Sequence, residues 1–447
     1  MKTFSAYIIF IVVLIFFLRK EGLGRLPAAL YVPLCWMVLI LSRSFSQWLQ
    51  LRGDLSGMEA EMEGNPIDAA FLLVLIMLGL GILYLKRIDV SGIIKNNKSL
   101  FMLYGFALLS LLWADFPLIA FKRWTKWFGS LIMVLVILSE VDYKGAIKSL
   151  IKRCAYALIP LSIVFIKFVP SLGRSYTRSG IADYHGVATQ KNQYGILLLI
   201  CGIYFAWELI VMWRKKDFEA LKKIGYVNLL FLVVILWQLF FIDSKTSIIC
   251  LMLGIGVIFL LGHPFFKKYP HKARNAIIAL AIVVALLQHF IDIKGTIISS
   301  AGRVPTLTDR TILWTEILKV PTNPLVGTGW DNFWLGDRII PLWEKWAWHP
   351  RNAHNGYLEI YLYLGWTGIA LLFFALWAGF KKSAALLISD FEYGCLSLSF
   401  FIIALFFNYS ESAFHRMSPV WFFGLLFYLV KMPRELKARE PGITLSF

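Results

Sequence analysis

The sequence predicts an all-α, polytopic membrane protein with about 12–13 transmembrane helices and one large extramembrane loop. Three observations carry this prediction. Of the 447 residues, 59% are hydrophobic and only 16% charged, where soluble domains run at roughly 45–50% and about 25%. The mean hydropathy is +0.69. The apolar residues fall in runs long enough to cross a bilayer, separated by short basic clusters. These features exclude an ordinary soluble enzyme, a disordered chain and a disulfide-built secreted scaffold.

A spanning helix needs about 20 mostly apolar residues, roughly 17–25. Such runs occur at 3–18, 26–42, 67–85, 99–114, 124–139, 152–168, 193–213, 227–242, 246–262, 275–291, 357–379, 392–407 and 418–431. Several are short and borrow length from their flanks. The first is followed by Arg19, Lys20 and Arg25 with no small-residue cleavage site, so it reads as an uncleaved anchor. Cys35, Cys154, Cys201, Cys250 and Cys395 form no CxxC and lie in or beside apolar stretches, so they read as packing residues.

The formal net charge is +18. Its basic residues are interspersed between apolar runs rather than clustered on one polar domain, which argues for membrane flanks and against nucleic acid. Alternate loops, starting from 19–25 and ending with the C-terminal tail, hold 26 Lys+Arg; the opposite set holds 19. Seven of those 19 belong to one long loop, where the positive-inside rule carries little weight. The richer set is therefore predicted to be cytoplasmic, and the loop 292–356 to face outward. A single membrane domain, 1–447, contains this loop.

The loop 292–356 holds six of the 17 tryptophans: Trp314, Trp330, Trp334, Trp343, Trp346 and Trp348. Flat indole faces suit the C–H faces of sugar rings, so Trp330 and Trp334 are candidates for saccharide contact. Within the loop, 308–320 predicts an amphipathic helix with Thr308 as N-cap, stopped by Pro321 and Pro324. Gly327 and Gly329 predict a turn leading to Trp330. The sequence has no GxxxxGK[ST], HExxH, CxxC or GxSxG, so it offers no motif for a P-loop, a zinc site or a nucleophile elbow. No cofactor and no metal is expected.

The predicted outward segments are instead cationic. Lys122, Arg123 and Lys126 lie in one loop, Arg174, Arg178 and Lys191 in a second, and Arg303, Arg310, Arg351 and His354 in the long loop. Guanidinium forks bind phosphate oxygens bidentately and lysine adds a point charge, so a pyrophosphate at the outer surface would account for the set. His354 is the candidate for acid–base work: imidazole, with a reference pKa of about 6.5, transfers protons near neutral pH. Glu359 follows it by five residues.

The segment Arg351–Gly365, RNAHNGYLEIYLYLG, resembles the signature of the O-antigen ligase and polymerase superfamily, in which a His-Asn pair ends a large periplasmic loop and a glycine-containing helix follows. TLTDR (306–310) with Trp314, NPLVGTGWDNFW (323–334), HGVATQKNQYG (185–195) and LLWADFPLIAFKRW (111–124) resemble further elements of that superfamily. Their order and spacing fit over 111–368, and within the superfamily they are most similar to exopolysaccharide polymerases of the ExoQ type. The resemblance implies a GT-C-like glycosyltransferase of the bacterial inner membrane, with loop 292–356 periplasmic and the C-terminus cytoplasmic. It implies an undecaprenyl-pyrophosphate-linked saccharide as donor, and chain-length-regulator and export proteins as partners. It implies a metal-independent, inverting transfer. By the same resemblance His354 is the essential histidine, Arg310 a pyrophosphate-binding arginine, and Lys191 with Asn192 the pair before a span. Arg178, Arg303, Arg351 and Asn355 join the expected binding set. Asp309 replaces a common glycine and Gln190 a frequent histidine; an acid beside Arg310 is expected to pair with it. Polymerase, ligase to lipid A core, lipid-linked-saccharide flippase and noncatalytic export component are the readings open at this point.

Overall fold

The computed structural model describes residues 2–51, 64–176, 180, 182–279, 306–346 and 349–429. The elements that matter here are, in chain order, α1 (Lys2–Lys20), α2 (Tyr31–Leu41), α3 (Pro66–Leu85), α4 (Lys98–Leu109), α5 (Pro117–Leu138), α6 (Tyr143–Phe168), β1 (Arg174–Tyr176), β2 (Ala182–Tyr184), α7 (Lys191–Arg214), α8 (Tyr226–Phe241), α9 (Lys245–Leu261), α10 (Thr306–Lys319), α11 (Ile340–Lys345), α12 (Gly356–Ser389), α13 (Phe391–Ser410) and α14 (Pro419–Tyr428).

The chain is an all-α polytopic membrane protein. Among the described residues, seven helical segments are long and apolar enough to cross a bilayer, those at Thr3–Lys20, Pro66–Leu85, Tyr143–Phe168, Lys191–Arg214, Phe218–Phe241, Gly356–Ser389 and Phe391–Ser410. Four shorter apolar helices, Ala28–Leu41, Lys98–Trp113, Lys245–Leu261 and Pro419–Tyr428, coincide with further predicted spans. The span expected at 124–139 belongs to a longer helix that begins at Pro117. The span expected at 275–291 extends beyond the described residues. A two-stranded antiparallel hairpin, β1–β2, with Ser175 opposite Asp183, is an addition that periodicity did not foretell.

The chain forms two compact units. The first comprises 1–98, 125–256 and 416–447, the second 99–124 and 257–415. In the first unit, α1 presents Phe4, Ile9, Val12 and Phe16 outward, a face suited to lipid. Its inner end packs Phe17 edge-on to Phe231, at 5.0 Å, and against Tyr156, at 5.4 Å.

Beside this aromatic cluster lies a buried charge network. Lys152 of α6, 0% exposed, is 2.7 Å from Glu21 and 2.7 Å from Glu208 of α7. Its ammonium donates to Asn228 of α8 at 3.2 Å, and Asn228 donates in turn to Glu208 at 2.8 Å. Lys148 reaches the other Glu208 oxygen at 2.7 Å, and the Tyr156 hydroxyl donates to Glu21 at 3.0 Å. Two cations thus meet two anions, tying the end of α1 to α6, α7 and α8. Removing one partner strands an opposite charge away from water, which costs about 3–5 kcal/mol. Lys152→Met should therefore lower the thermal midpoint in detergent strongly. Combining it with Glu21→Gln and Glu208→Gln should recover much of the loss. A neutral Lys152→Met would show that the network contributes no stability.

The second unit is built on α12 and α13. The helical run of α12 extends from Gly356 to Ser389 but is interrupted at Gly365, which has φ 62° and ψ −161°. It therefore consists of two helical pieces meeting at a break. A broken helix leaves carbonyls and N–H groups without their intrahelical partners, and inside a membrane protein these must be satisfied by other protein groups.

Candidate active site

The partners for the broken helix come from the turn at 323–329. Thr328 and Gly329 donate backbone N–H groups to the carbonyls of Leu362 and Tyr363, at 3.0 and 2.9 Å. The Thr328 hydroxyl also reaches the Leu362 carbonyl, at 3.1 Å. In return, Trp366 and Thr367 donate to the carbonyls of Pro324 and Leu325, at 2.9 and 3.1 Å. Asn323 caps the turn by accepting from Leu325 N–H at 3.0 Å. The approach is so close that a Cβ on Gly365 would lie 2.3 Å from the Leu325 carbonyl carbon, and one on Gly327 2.3 Å from that of Tyr363. The two glycine signals of the sequence thus meet as one structure.

Gly365→Ala should accordingly be severe. Its φ and ψ fall in a region essentially confined to glycine, costing about 1–3 kcal/mol before any clash with Leu325. We expect little monodisperse protein after detergent extraction. Gly81→Ala, on α3 with open space around the added carbon, is the matched control and should extract normally. Equal yields would mean that the break tolerates a side chain.

Segment 110–124 holds the far side of the same turn. Ser110 Oγ accepts from Trp330 N–H at 2.9 Å, and Trp113 Nε1 donates to the Val326 carbonyl at 3.3 Å. Phe116 N–H donates to Asn332 Oδ1 at 3.2 Å. Asp115 pairs with Arg338 at 2.7 Å. Arg123 donates to the Asp331 carbonyl at 2.6 Å and lies 3.4 Å from its carboxylate, which is fully buried. Arg123, read from sequence as one of several outward cations, is committed to this pairing.

The His354 segment is clamped with similar care. Ala353 N–H donates to Glu359 Oε1 at 2.5 Å, while Trp314 Nε1 donates to the Ala353 carbonyl at 2.6 Å. Glu359 is fully buried and also accepts from Trp334 Nε1 at 2.9 Å. His354 itself has φ 49°, a left-handed conformation uncommon outside glycine though histidine is among the more tolerant residues. Asn352 Oδ1 stabilises it by accepting its N–H at 2.9 Å. Asn355 then caps α12: its Oδ1 accepts from Tyr357 and Leu358 N–H groups at 3.0 and 3.1 Å. The residue expected to bind substrate is engaged in starting the helix.

The side chain of His354 meets one that sequence reasoning missed. Its Nδ1 is 3.2 Å from Glu411 Oε2, and Arg310 Nη2 is 3.3 Å from Glu411 Oε1. A second guanidinium nitrogen of Arg310 donates to the Ser410 carbonyl. One carboxylate therefore joins the two residues expected to carry the chemistry. The short segment after α13 is itself fixed: Gly356 N–H donates to the Glu411 carbonyl at 3.1 Å, Asn355 N–H to Ser412 Oγ at 3.1 Å, and Ala413 N–H to Asn408 Oδ1 at 2.8 Å. Arg310, His354 and Glu411 are all partly open, at 27%, 27% and 14% of side-chain exposure.

Other sequence candidates make different contacts. Trp330 is fully buried and Trp334 nearly so. Trp330 packs edge-on to Tyr363 at 6.1 Å. Their rings fill the interior of the unit, which corrects the expectation that they offer open faces to sugars. Lys191 and Asn192 start α7 in the other unit, where Lys191 is 3.3 Å from Asp183. The close packing of Gly195 against Ser244 and Ser247, 2.4 and 2.5 Å from an added Cβ, accounts for the glycine of that element. Arg178, Arg303, Trp348 and the side chain of Asp309 lie outside the described residues. The helix expected at 308–320 runs from Thr306 to Lys319, so Thr308 lies in its first turn and is not its cap.

Residues 230–373 match the family described as O-Antigen ligase. No curated protein matches the chain. The matched stretch takes in Arg310, Trp314, the 323–334 turn, His354 and Gly365, and stops short of Glu411. Over these residues, about a third of its length, the membrane-spanning chain is similar to that family.

Proposed function

We propose that the protein is a polysaccharide polymerase of the ExoQ-like branch. It would take saccharide from undecaprenyl pyrophosphate on the periplasmic face of the inner membrane and join it to another lipid-linked repeat unit. The observation that carries this reading is the linkage of Arg310 and His354 through Glu411. An acceptor hydroxyl attacks the anomeric carbon of the donor as the bond from that carbon to the pyrophosphate oxygen breaks. The proton of the hydroxyl passes to His354 Nε2, while Nδ1, turned to Glu411, keeps the ring in the tautomer that leaves Nε2 able to accept. Negative charge grows on the departing pyrophosphate, where the open edge of the Arg310 guanidinium stabilises it more than in the ground state. A single displacement inverts the anomeric configuration. Arginine takes the charge-neutralising role, so a chelator should leave the rate unchanged.

Polymerase is preferred over ligase because 306–334 and 351–365 are most similar to the exopolysaccharide branch. The test is transfer by purified full-length protein supplied with lipid-linked repeat unit. Its counterpart in cells is deletion of the gene, which should leave single repeat units on the carrier and remove high-mass polysaccharide. Full-length polymer left unattached to lipid A core would instead establish the ligase. Orientation is tested separately: alkaline phosphatase fused within 292–350 should be active and at 214–223 inactive, and the reverse would overturn the assignment of faces.

A further inference from the structure

Segment 263–274, HPFFKKYPHKAR, follows the apolar helix α9 and so stands at a polar edge of the membrane domain; the transfer chemistry makes no use of it. Two prolines shape it. Pro264 opens the short helix Pro264–Lys268, and His263 Nδ1 caps that helix by accepting the Phe265 N–H at 3.3 Å. Pro270 starts further helical turns, and Lys272 N–H donates to the Tyr269 carbonyl at 2.9 Å across the join. The turn brings two ammonium groups to one pair of rings. Lys272 Nζ lies 4.8 Å from the centre of the Tyr269 ring and 5.1 Å from that of Phe265, and Lys268 Nζ lies 5.4 Å from the Tyr269 centre. The two rings are themselves 5.5 Å apart. Phe265, Lys268 and Lys272 are exposed and Tyr269 half-buried.

Two like charges on one ring repel, and the negative faces of Tyr269 and Phe265 offset only part of that cost. Elsewhere in the chain lysines meet acids: Lys86 pairs with Glu140 and Lys148 with Glu208, each at 2.7 Å. Among the described residues neither Lys268 nor Lys272 pairs with a carboxylate. The segment itself holds four basic residues and no acidic one. The counter-ion must therefore come from outside the chain. A basic cluster of this size beside an apolar helix gathers anionic headgroups. The rings set the depth: aromatic side chains settle at the headgroup level, and ammonium groups held on them are presented to the phosphates there. We propose that segment 263–274 binds anionic phospholipid, with Lys268 and Lys272 taking a headgroup phosphate together. This inference rests on the membrane fold alone. It needs neither the polymerase reading nor the assignment of faces, since a headgroup layer borders either one.

Amide hydrogen exchange of the full-length protein in lipid nanodiscs tests it. Peptides covering 263–274 should exchange about threefold more slowly in dioleoylphosphatidylglycerol than in dioleoylphosphatidylcholine, because a bound headgroup must leave before the turn opens. Raised salt should shrink the difference. Lys268→Gln/Lys272→Gln should remove it, and Lys268→Arg/Lys272→Arg, which keeps both charges, should preserve it. Lys215→Gln/Lys216→Gln, in another basic loop, should leave it intact, with gel-filtration profiles confirming folded protein. Equal exchange in the two lipids would overturn the proposal. A difference that survives Lys268→Gln/Lys272→Gln would overturn it too, since the protection would then come from the bilayer at large. Inorganic phosphate added to the phosphatidylcholine discs should give no protection; protection equal to that in phosphatidylglycerol would assign the pair to a free anion instead of a lipid.

Discussion

Arg310→Ala should reduce transfer about a hundredfold or more, at unchanged protein level and with folding intact. The guanidinium now donates to the Ser410 carbonyl and faces the Glu411 carboxylate at 3.3 Å. Among the described residues these two contacts hold the guanidinium, and their geometry is set before substrate arrives; its further N–H groups would meet the oxyanion. On the proposed mechanism, charge would develop on a leaving pyrophosphate only as its bond to the anomeric carbon breaks. Loss of this one donor therefore removes transition-state stabilisation of about 3 kcal/mol, which is roughly a hundredfold in rate. Arg310→Lys should keep little activity: an ammonium can retain one of the two protein contacts or the phosphate, and lacks the fork for both. The measurement is single-turnover transfer at saturating donor, which separates chemistry from binding. A near-normal rate for Arg310→Ala would remove this residue from the site. A fall in donor affinity with an unchanged single-turnover rate would make it a ground-state anchor.

The membrane class was legible because burial in lipid demands long apolar runs, and 59% hydrophobic residues leave few alternatives. The helix ending near Lys319 was legible because Pro321 and Pro324 cannot continue it. The break at Gly365 was not. A glycine inside an apolar helical run is common, and the groups that satisfy the interruption come from residues 324–329, far away in sequence. The roles of Trp330 and Trp334 were misread for a related reason. Composition counts indoles in a loop, but whether a ring faces water or fills a core depends on the elements around it. Glu411 escaped notice because it is 57 residues from His354 and 101 from Arg310. The available signal was its setting. It lies in the polar stretch NYSESAFHR (408–416), which separates two strongly apolar helices. An acid at the end of such a helix asks for a partner, and Arg310 and His354 of the predicted outward set supplied two.

His354→Ala should abolish polymer formation, with a loss of about a hundredfold to ten-thousandfold expected for a general base. The companion variants at Glu411 carry the sharper prediction. Glu411 Oε2 lies 3.2 Å from His354 Nδ1. If it orients the imidazole, its contribution exists only while the imidazole is present. Glu411→Gln keeps an oxygen able to accept from Nδ1 but loses the charge that stabilises the imidazolium formed on proton uptake, so it should lose activity by an intermediate factor. Glu411→Ala should lose more, because the ring is then free to turn and Arg310 also loses its carboxylate. The decisive comparison is His354→Ala/Glu411→Gln against His354→Ala alone. Groups acting as a unit are non-additive, so adding Glu411→Gln to a protein already lacking the imidazole should cost little further rate. Multiplicative losses would mean that Glu411 and His354 act independently, and the 3.2 Å contact would then be a structural one without a part in proton transfer.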